Sequence, residues 1–147
     1  LGQVDAVYHL AAYQDYLTDF SRFTHVNVFS TALIYEIAVE AGLPLSRVVV
    51  ASSQAAMGEG LYLCSDHGEQ TPDIRTEAQL RSAAWENPCP QCGGEMAMQL
   101  TPERTSNPQN PYGMSKYGQE MVAINLCKRY GIPTVAMRYS IVQGTRQ

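Results

Sequence analysis

The chain is poor in positive charge and in long apolar runs. Its 10 Lys and Arg stand against 14 Asp and Glu, for a formal net charge of -4. No basic run is present, so nothing offers an electrostatic footprint for nucleic acid. No stretch approaches the ~20 apolar residues that cross a bilayer, so no membrane-spanning helix is expected. No signal peptide is visible either, which says little in a chain that opens at Leu1 rather than Met. With 147 residues, 45% of them hydrophobic and 16% charged, there is enough material for one domain with a core. The chain begins just before an apolar strand and stops at Gln147 inside a loop motif, which predicts a piece of a longer protein.

In chain order, Val4 to Ala12 is a short run rich in β-formers and ending in small residues, which reads as a buried strand. His9 lies within it and reads as a hydrogen-bonded core histidine rather than a ligand. Tyr13 to Arg22 reads as a loop with a short helical turn. From Phe23 to Ala41, Val26, Phe29, Leu33, Ile34, Ile37 and Val39 mark a broad apolar helical face, closed by Gly42 and Pro44. Arg47 to Ser53 is a β-branched run of the kind found in parallel sheets buried on both faces. A second long helix runs from Tyr112 to about Tyr130, with Met121, Val122, Ile124 and Leu126 as its apolar face and Gly131 at its end. Thr134 to Tyr139 makes a third strand. This alternation predicts an α/β fold, a parallel sheet with helices on both faces. Ligands in such sheets sit beyond the carboxyl ends of the strands. Ala11 and Ala12, Ser52 and Ser53, and Tyr139 to Ile141 all fall there.

Tyr112 and Lys116 stand four apart, one turn from each other on one helix face, with Pro111 at the helix start. A free tyrosine has a pKa of about 10, and an ammonium held close favours the phenolate. Such a pair can take a proton from a sugar or alcohol hydroxyl. The spacing alone is a weak signal and more often marks a surface Tyr and Lys on an ordinary helix.

Assembled, these segments resemble the extended short-chain dehydrogenase/reductase family, the nucleotide-sugar epimerases and dehydratases. Asp5-Ala6-Val7-Tyr8-His9-Leu10-Ala11-Ala12 looks like the family's D-x-V-x-H-L-A-A strand. Asn27-Val28-Phe29-Ser30-Thr31 is similar to N-V-x-G-T, with Ser30 in place of Gly. Ser52-Ser53-Gln54-Ala55-Ala56-Met57-Gly58 resembles S-S-x-x-V-Y-G, and Arg138 to Gln147 resembles R-Y-F-N-V-Y-G-P-R-Q. The resemblance implies a Rossmann-like doubly wound sheet and NAD as cofactor. It implies Ser53, Tyr112 and Lys116 as catalytic residues, and Leu10, Ala11, Ala12, Asn27, Tyr112, Lys116 and Ser140 as cofactor contacts. By itself Ser53 reads as a strand-end cap. The resemblance also implies a cytoplasmic enzyme acting on a nucleotide sugar, and a homodimer formed through the two long helices.

Departures narrow the activity. Family dehydratases carry Asp-Glu directly after the catalytic Ser/Thr, whereas Gln54 and Ala55 follow Ser53 here. That speaks for epimerisation or simple oxidation–reduction. Ile141 stands where many members use Asn against the substrate. The Gly-rich phosphate loop, which precedes the first strand in the family, is absent from the sequence, so the chain alone is expected to hold NAD weakly and to be inactive.

The expected division is 1–59 as the opening segment of the partial Rossmann domain, 60–106 as an insertion, and 107–147 as its continuation. Within the insertion, Cys64-x-x-His67 and Cys89-Pro90-Gln91-Cys92-Gly93-Gly94 are separated by a 21-residue spacer. Two such pairs have the spacing of a tetrahedral structural zinc site, with a Cys89–Cys92 disulfide or idle thiols as the rival. Reduced thiols inside a cell favour zinc. Cys127 reads as core. Some nucleotide-sugar epimerases, including those that look like deoxythymidine-diphosphate-rhamnose 4-epimerases, carry a similar insertion with a pair such as Trp85-Glu86. The leading expectation is an NAD-dependent nucleotide-sugar 4-epimerase. A reductase or dehydrogenase on the same scaffold, and a non-catalytic zinc-stapled module, are the alternatives.

Overall fold

The computed structural model describes residues 4–145, so Arg146 and Gln147 of the last motif lie outside the described residues. The chain forms two compact units, one of residues 1–56 with 110–147 and the other of residues 57–109.

The first unit is built on a parallel sheet in the order β1 (Ala6–His9), β2 (Arg47–Ser53), β6 (Thr134–Tyr139). Val48 pairs with Val7 and Thr134, and Val50 with His9 and Ala136. Both connections step in the same direction across the sheet, and right-handed crossovers then deliver both helical connections to one face. On that face Val48 and Val50 share a core with Tyr35, Ala38, Leu45, Ala123 and Ile132.

This differs from the expectation of helices on both faces. Among the described residues the opposite face is open: Tyr8, Val135, Met137 and Tyr139 are all at least 40% exposed. β1 is also shorter than the Val4–Ala12 run. Past His9 the backbone turns, with Leu10 N donating to Tyr8 O, and Tyr13 N is held by the Asn27 side chain.

The first connection is helical from Phe20 to Glu40 in three joined segments. These are α1 (Phe20–Phe23), a π-helical stretch (Thr24–Phe29) and α2 (Ser30–Glu40). Its buried residues are Phe23, Asn27, Thr31, Tyr35 and Ala38, whereas Phe29, Leu33, Ile37 and Val39 are exposed. The expected apolar face is therefore not the packed one. The reason lies in the partner helix α4 (Pro111–Tyr130), whose buried residues are Gly113, Ser115, Lys116, Gln119, Glu120 and Ala123. Met121 is half exposed there. Buried polar groups require hydrogen-bonding partners, and Asn27 and Thr31 supply them.

The second unit holds an antiparallel sheet in the order β4 (Gly68–Gln70), β3 (Tyr62–Cys64), β5 (Ala97–Met98), and a short helix α3 (Glu77–Arg81). It extends beyond 60–106 on both sides. Asn107 and Gln109 donate to Pro72 O, and Gly58 lies so close to Asn107 that a Cβ would be 2.1 Å from its carbonyl oxygen. α3 is capped by Thr76, whose Oγ1 accepts from Gln79 N at 3.2 Å. No helix among the described residues is long and apolar enough to cross a membrane.

Candidate functional site

Tyr112 and Lys116 stand on the first turns of α4. Asn110, in extended backbone, caps the helix, its Oδ1 accepting from Gly113 N at 2.7 Å, and Pro111 takes the first helical position. Gly113 is required by close approach. A Cβ there would lie 2.5 Å from Ala55 O, so the turn that carries Tyr112 packs directly on the loop that follows Ser53. Gly118 allows a similar approach further along α4, where a Cβ would come within 2.9 Å of Val28.

Lys116 is 2% exposed, with Nζ 5.9 Å from the Tyr112 ring centroid. Its ammonium donates to Gln119 Oε1 at 2.8 Å, and burial brings its pKa down to about 8. Tyr112 itself is half-buried. His9 is buried, accepts from or donates to Ser30 Oγ at 3.1 Å, and has its pKa lowered by burial and then by the charge of Lys116. That environment matches the hydrogen-bonded core histidine read from the sequence.

Ser53 sits half-buried at the carboxyl end of β2, and its Oγ accepts from Ala55 N at 3.1 Å. The oxygen thus caps the strand end, while its own O–H remains a donor. Leu10, Ala11 and Ala12 follow β1 and are exposed. Ser140 is exposed after β6 and donates to Gln54 Oε1 at 2.7 Å. Asn27 is different. It is fully buried, with Nδ2 donating to Tyr13 O and Ser115 Oγ and Oδ1 accepting from Tyr13 N. Both amide hydrogens are used, so Asn27 acts by bracing Tyr13 and Ser115.

Several residues of this neighbourhood escaped the sequence reading. Glu120, one turn beyond Lys116, accepts from Ser52 Oγ and from Arg138, whose Nε and Nη2 lie 2.8 and 2.7 Å from its two oxygens. This bidentate pair is nearly buried, with side chains 13% and 11% exposed. It ties α4 to β2 and β6 just below the strand ends. The signal was present as a polar stripe at helical spacing: Ser115 and Lys116, then Gln119 and Glu120.

In the second unit, Cys64 ends β3 and His67 lies in the tight hairpin before β4. Cys89 and Cys92 lie in a turn in which Cys89 N donates to Gly94 O and Gly93 N donates to Cys89 O, both at 2.8 Å. The ligand atoms of Cys64, His67, Cys89 and Cys92 all lie within 4.8 Å of one another. All four cysteines of the chain are free. Burial acts to raise the Cys89 thiol, but the N–H groups of Cys92 and Gln91, with the neighbouring thiols, outweigh it and bring it down to about 7. A thiol poised to ionise suits a metal ligand. Cys127, the fourth, is half-buried on α4.

Known proteins share this fold. The NAD-binding family model described as male sterility protein matches residues 1–147. The chain belongs to this family. It is a short-chain dehydrogenase/reductase domain. A relative, the dTDP-L-rhamnose 4-epimerase of Burkholderia thailandensis, is 32% identical over 127 residues, which cover 82% of this chain and 33% of that protein. UDP-glucuronic acid 4-epimerase from Bacillus cereus, solved in complex with NAD, superposes with a TM-score of 0.64 at 23% identity, covering 99% of this chain and 35% of that one. UDP-N-acetylglucosamine 4-epimerase from Methanobrevibacter ruminantium gives 0.63 at 21%, covering 97% and 35%. These structures share the fold. The chain spans about a third of the length of these relatives.

Proposed function

We propose that the chain is the catalytic portion of an NAD-dependent nucleotide-sugar 4-epimerase, an isomerase, with Tyr112 as proton-transfer residue, Lys116 as its cationic neighbour and Ser53 as hydroxyl donor. The observation that carries this reading is the packing of Gly113 on Ala55, which gathers the Tyr112 turn, buried Lys116 and Ser53 at one end of the parallel sheet. The residues fit a dinucleotide. Ala11 and Ala12 are exposed and carry nothing beyond Cβ, so a flat ligand can approach their backbone, and Lys116 has ammonium hydrogens beyond the one given to Gln119. Leu10 and Ser140 would flank it, and Asn27 would serve it through the Tyr13 backbone.

NAD, when bound, supplies reversible hydride acceptance at the sugar carbon. Tyr112 removes the proton of the sugar hydroxyl as the carbonyl forms, and returns it when the carbonyl is reduced from the other side. Ser53 would direct its O–H at that oxygen, a donor left available because Ala55 N occupies only one of its lone pairs. Lys116 holds a positive charge beside the Tyr112 ring. Gln54 and Ala55 offer no acid–base pair for elimination of water, which favours epimerisation over dehydration. A reductase on the same residues differs by net consumption or production of reduced cofactor.

The four-residue cluster in the second unit would hold one zinc ion. Four protein ligands leave no open position, so the metal is structural rather than catalytic. A homodimer through the long helices is supported by exposed Phe29, Leu33 and Ile37, spaced four apart, and by Met114 and Met121 on α4.

The test is Tyr112→Phe in the full-length protein. Turnover of a nucleotide sugar is expected to fall by about 10²–10⁴-fold with the circular dichroism spectrum and melting unchanged. Undiminished turnover overturns the assignment, and net cofactor reduction in place of epimer formation moves it to the reductase reading.

A further inference from the structure

Gln119 is completely buried on α4. An amide in that position is costly unless both its ends are bonded, and both are. Oε1 accepts from Lys116 Nζ at 2.8 Å, and Nε2 donates to Thr31 Oγ1 at 2.9 Å. The chain of bonds continues from Thr31 Oγ1 to Asn27 O at 2.8 Å, from Asn27 Nδ2 to Ser115 Oγ at 2.8 Å, and from Ser115 Oγ to Tyr112 O at 2.8 Å. The circuit therefore leaves Lys116 and returns to the backbone of Tyr112. Its direction is dictated from one end. An ammonium can only donate, so Oε1 must face Lys116, Nε2 must face Thr31, and the Thr31 hydrogen must point at Asn27 O. Nothing in helix packing asks for this, because an apolar residue of similar volume would fill the same space without polar groups to satisfy.

We propose that Gln119 is a positioning residue, an amide clamp braced by Thr31 that holds the Lys116 ammonium at its station beside Tyr112. The proposal rests on the reading of Tyr112 and Lys116 as the proton-transfer pair, and it gives that pair a support, Gln119, that lies outside the family motifs quoted above. The titratable groups facing Lys116 are His9 from β1 and Tyr112 from its own helix. The residues that Gln119 reaches in the preceding helical stretch, Thr31 and through it Asn27, are uncharged. Glu120 on the same helix is engaged by Ser52 and Arg138.

The experiment follows the Lys116 side chain directly, by titrating its 13Cε resonance in the full chain, alongside kcat and KM against pH. In Gln119→Leu the ammonium loses its acceptor, and the Lys116 titration is expected to move down by about one pH unit or more. The alkaline limb of kcat should move with it, while KM for the sugar stays within about two-fold. Gln119→Glu restores an acceptor with charge and is expected to move the titration up by about one unit and to recover most of the lost turnover. Thr31→Val removes the brace together with the Thr31 bond to Asn27 O, and should act as Leu does, but less. If Leu and Val variants leave the Lys116 titration and kcat as in the wild type, Gln119 merely packs and the proposal is wrong. Should the Leu variant fail to fold, the Glu and Val variants decide by the same readout. A full-length wild-type protein that turns over no nucleotide sugar would end the functional reading, yet a shifted resonance would still establish the clamp.

Discussion

The two units of the chain are held together by different means. The 1–56/110–147 unit owns the hydrophobic cluster around Val48, Val50, Tyr35 and Ala123, and a buried hydrogen-bond circuit on top of it. The 57–109 unit buries little: Leu61, Tyr62, Pro72, Asn87 and the two thiols Cys64 and Cys89. Its other ties are polar, with Arg75 bonded to Glu59 at 2.6 Å and to Trp85 O at 2.9 Å, and Asn87 reaching Glu59 and Tyr62. Only the Arg75 bond to Trp85 O is exposed, and such a tie contributes little to stability. A small fold without a core needs a staple, and the four clustered ligand atoms are where it would be. One unit is specified by packing; for the other, the proposed reading is ligation.

The strongest way to break that contrast is to remove metal. We expect about one zinc per purified chain, and its removal by chelation, or Cys89→Ser, should open 57–109 to protease while hydrogen exchange in β1, β2 and β6 stays slow. Structural zinc contributes roughly 10–16 kcal/mol in small domains, so the effect should be plain. A metal-free chain whose 57–109 segment resists protease as before would remove the distinction.

Within the first unit, the contrast sharpens at Arg138. Changing it to Met strands Glu120 in a nearly buried position, at a cost of about 3–5 kcal/mol in urea unfolding. The double change with Glu120→Gln should recover much of that loss. Additive losses would mean that the two side chains do not act as a pair.

The smallest effect is the pH dependence of stability through Lys116. Its pKa is about 8 in the fold against an ordinary 10.5. Between those values the unfolded chain binds the extra proton, so stability rises with pH across the window. The burden is fully present below pH 8 and relieved toward 10.5. Relative to Lys116→Met, the wild type should therefore gain stability from pH 7.5 to about 10. A flat difference would show that the ammonium is not desolvated.

Much of this was legible in the sequence. β2, β6 and the Gly131 end of α4 stand where the β-branched runs and the glycine predicted them. The spacing of Cys64, His67, Cys89 and Cys92 foretold a cluster that the folded chain does bring together. α3 was overlooked, although Thr76-Glu77-Ala78-Gln79 has the form of a capping box. The helix face was misread because apolar periodicity assumes that a helix packs through its apolar residues. Here Asn27 and Thr31 face Ser115 and Gln119, and the polar stripes satisfy one another.

By itself, then, the sequence determined the alternation of strands and helices, which resides in local pattern, and the resemblance to the family, which in turn implied Tyr112, Lys116 and Ser53 as the candidate trio. The tertiary structure decided which helix faces are buried and how Gln119 and Glu120 are paired. It also left one face of the sheet open among the described residues. Apart from the Lys116–Gln119 bond, three positions apart, those pairings depend on partners 18 to 88 positions away in the chain, and no local pattern carries that information.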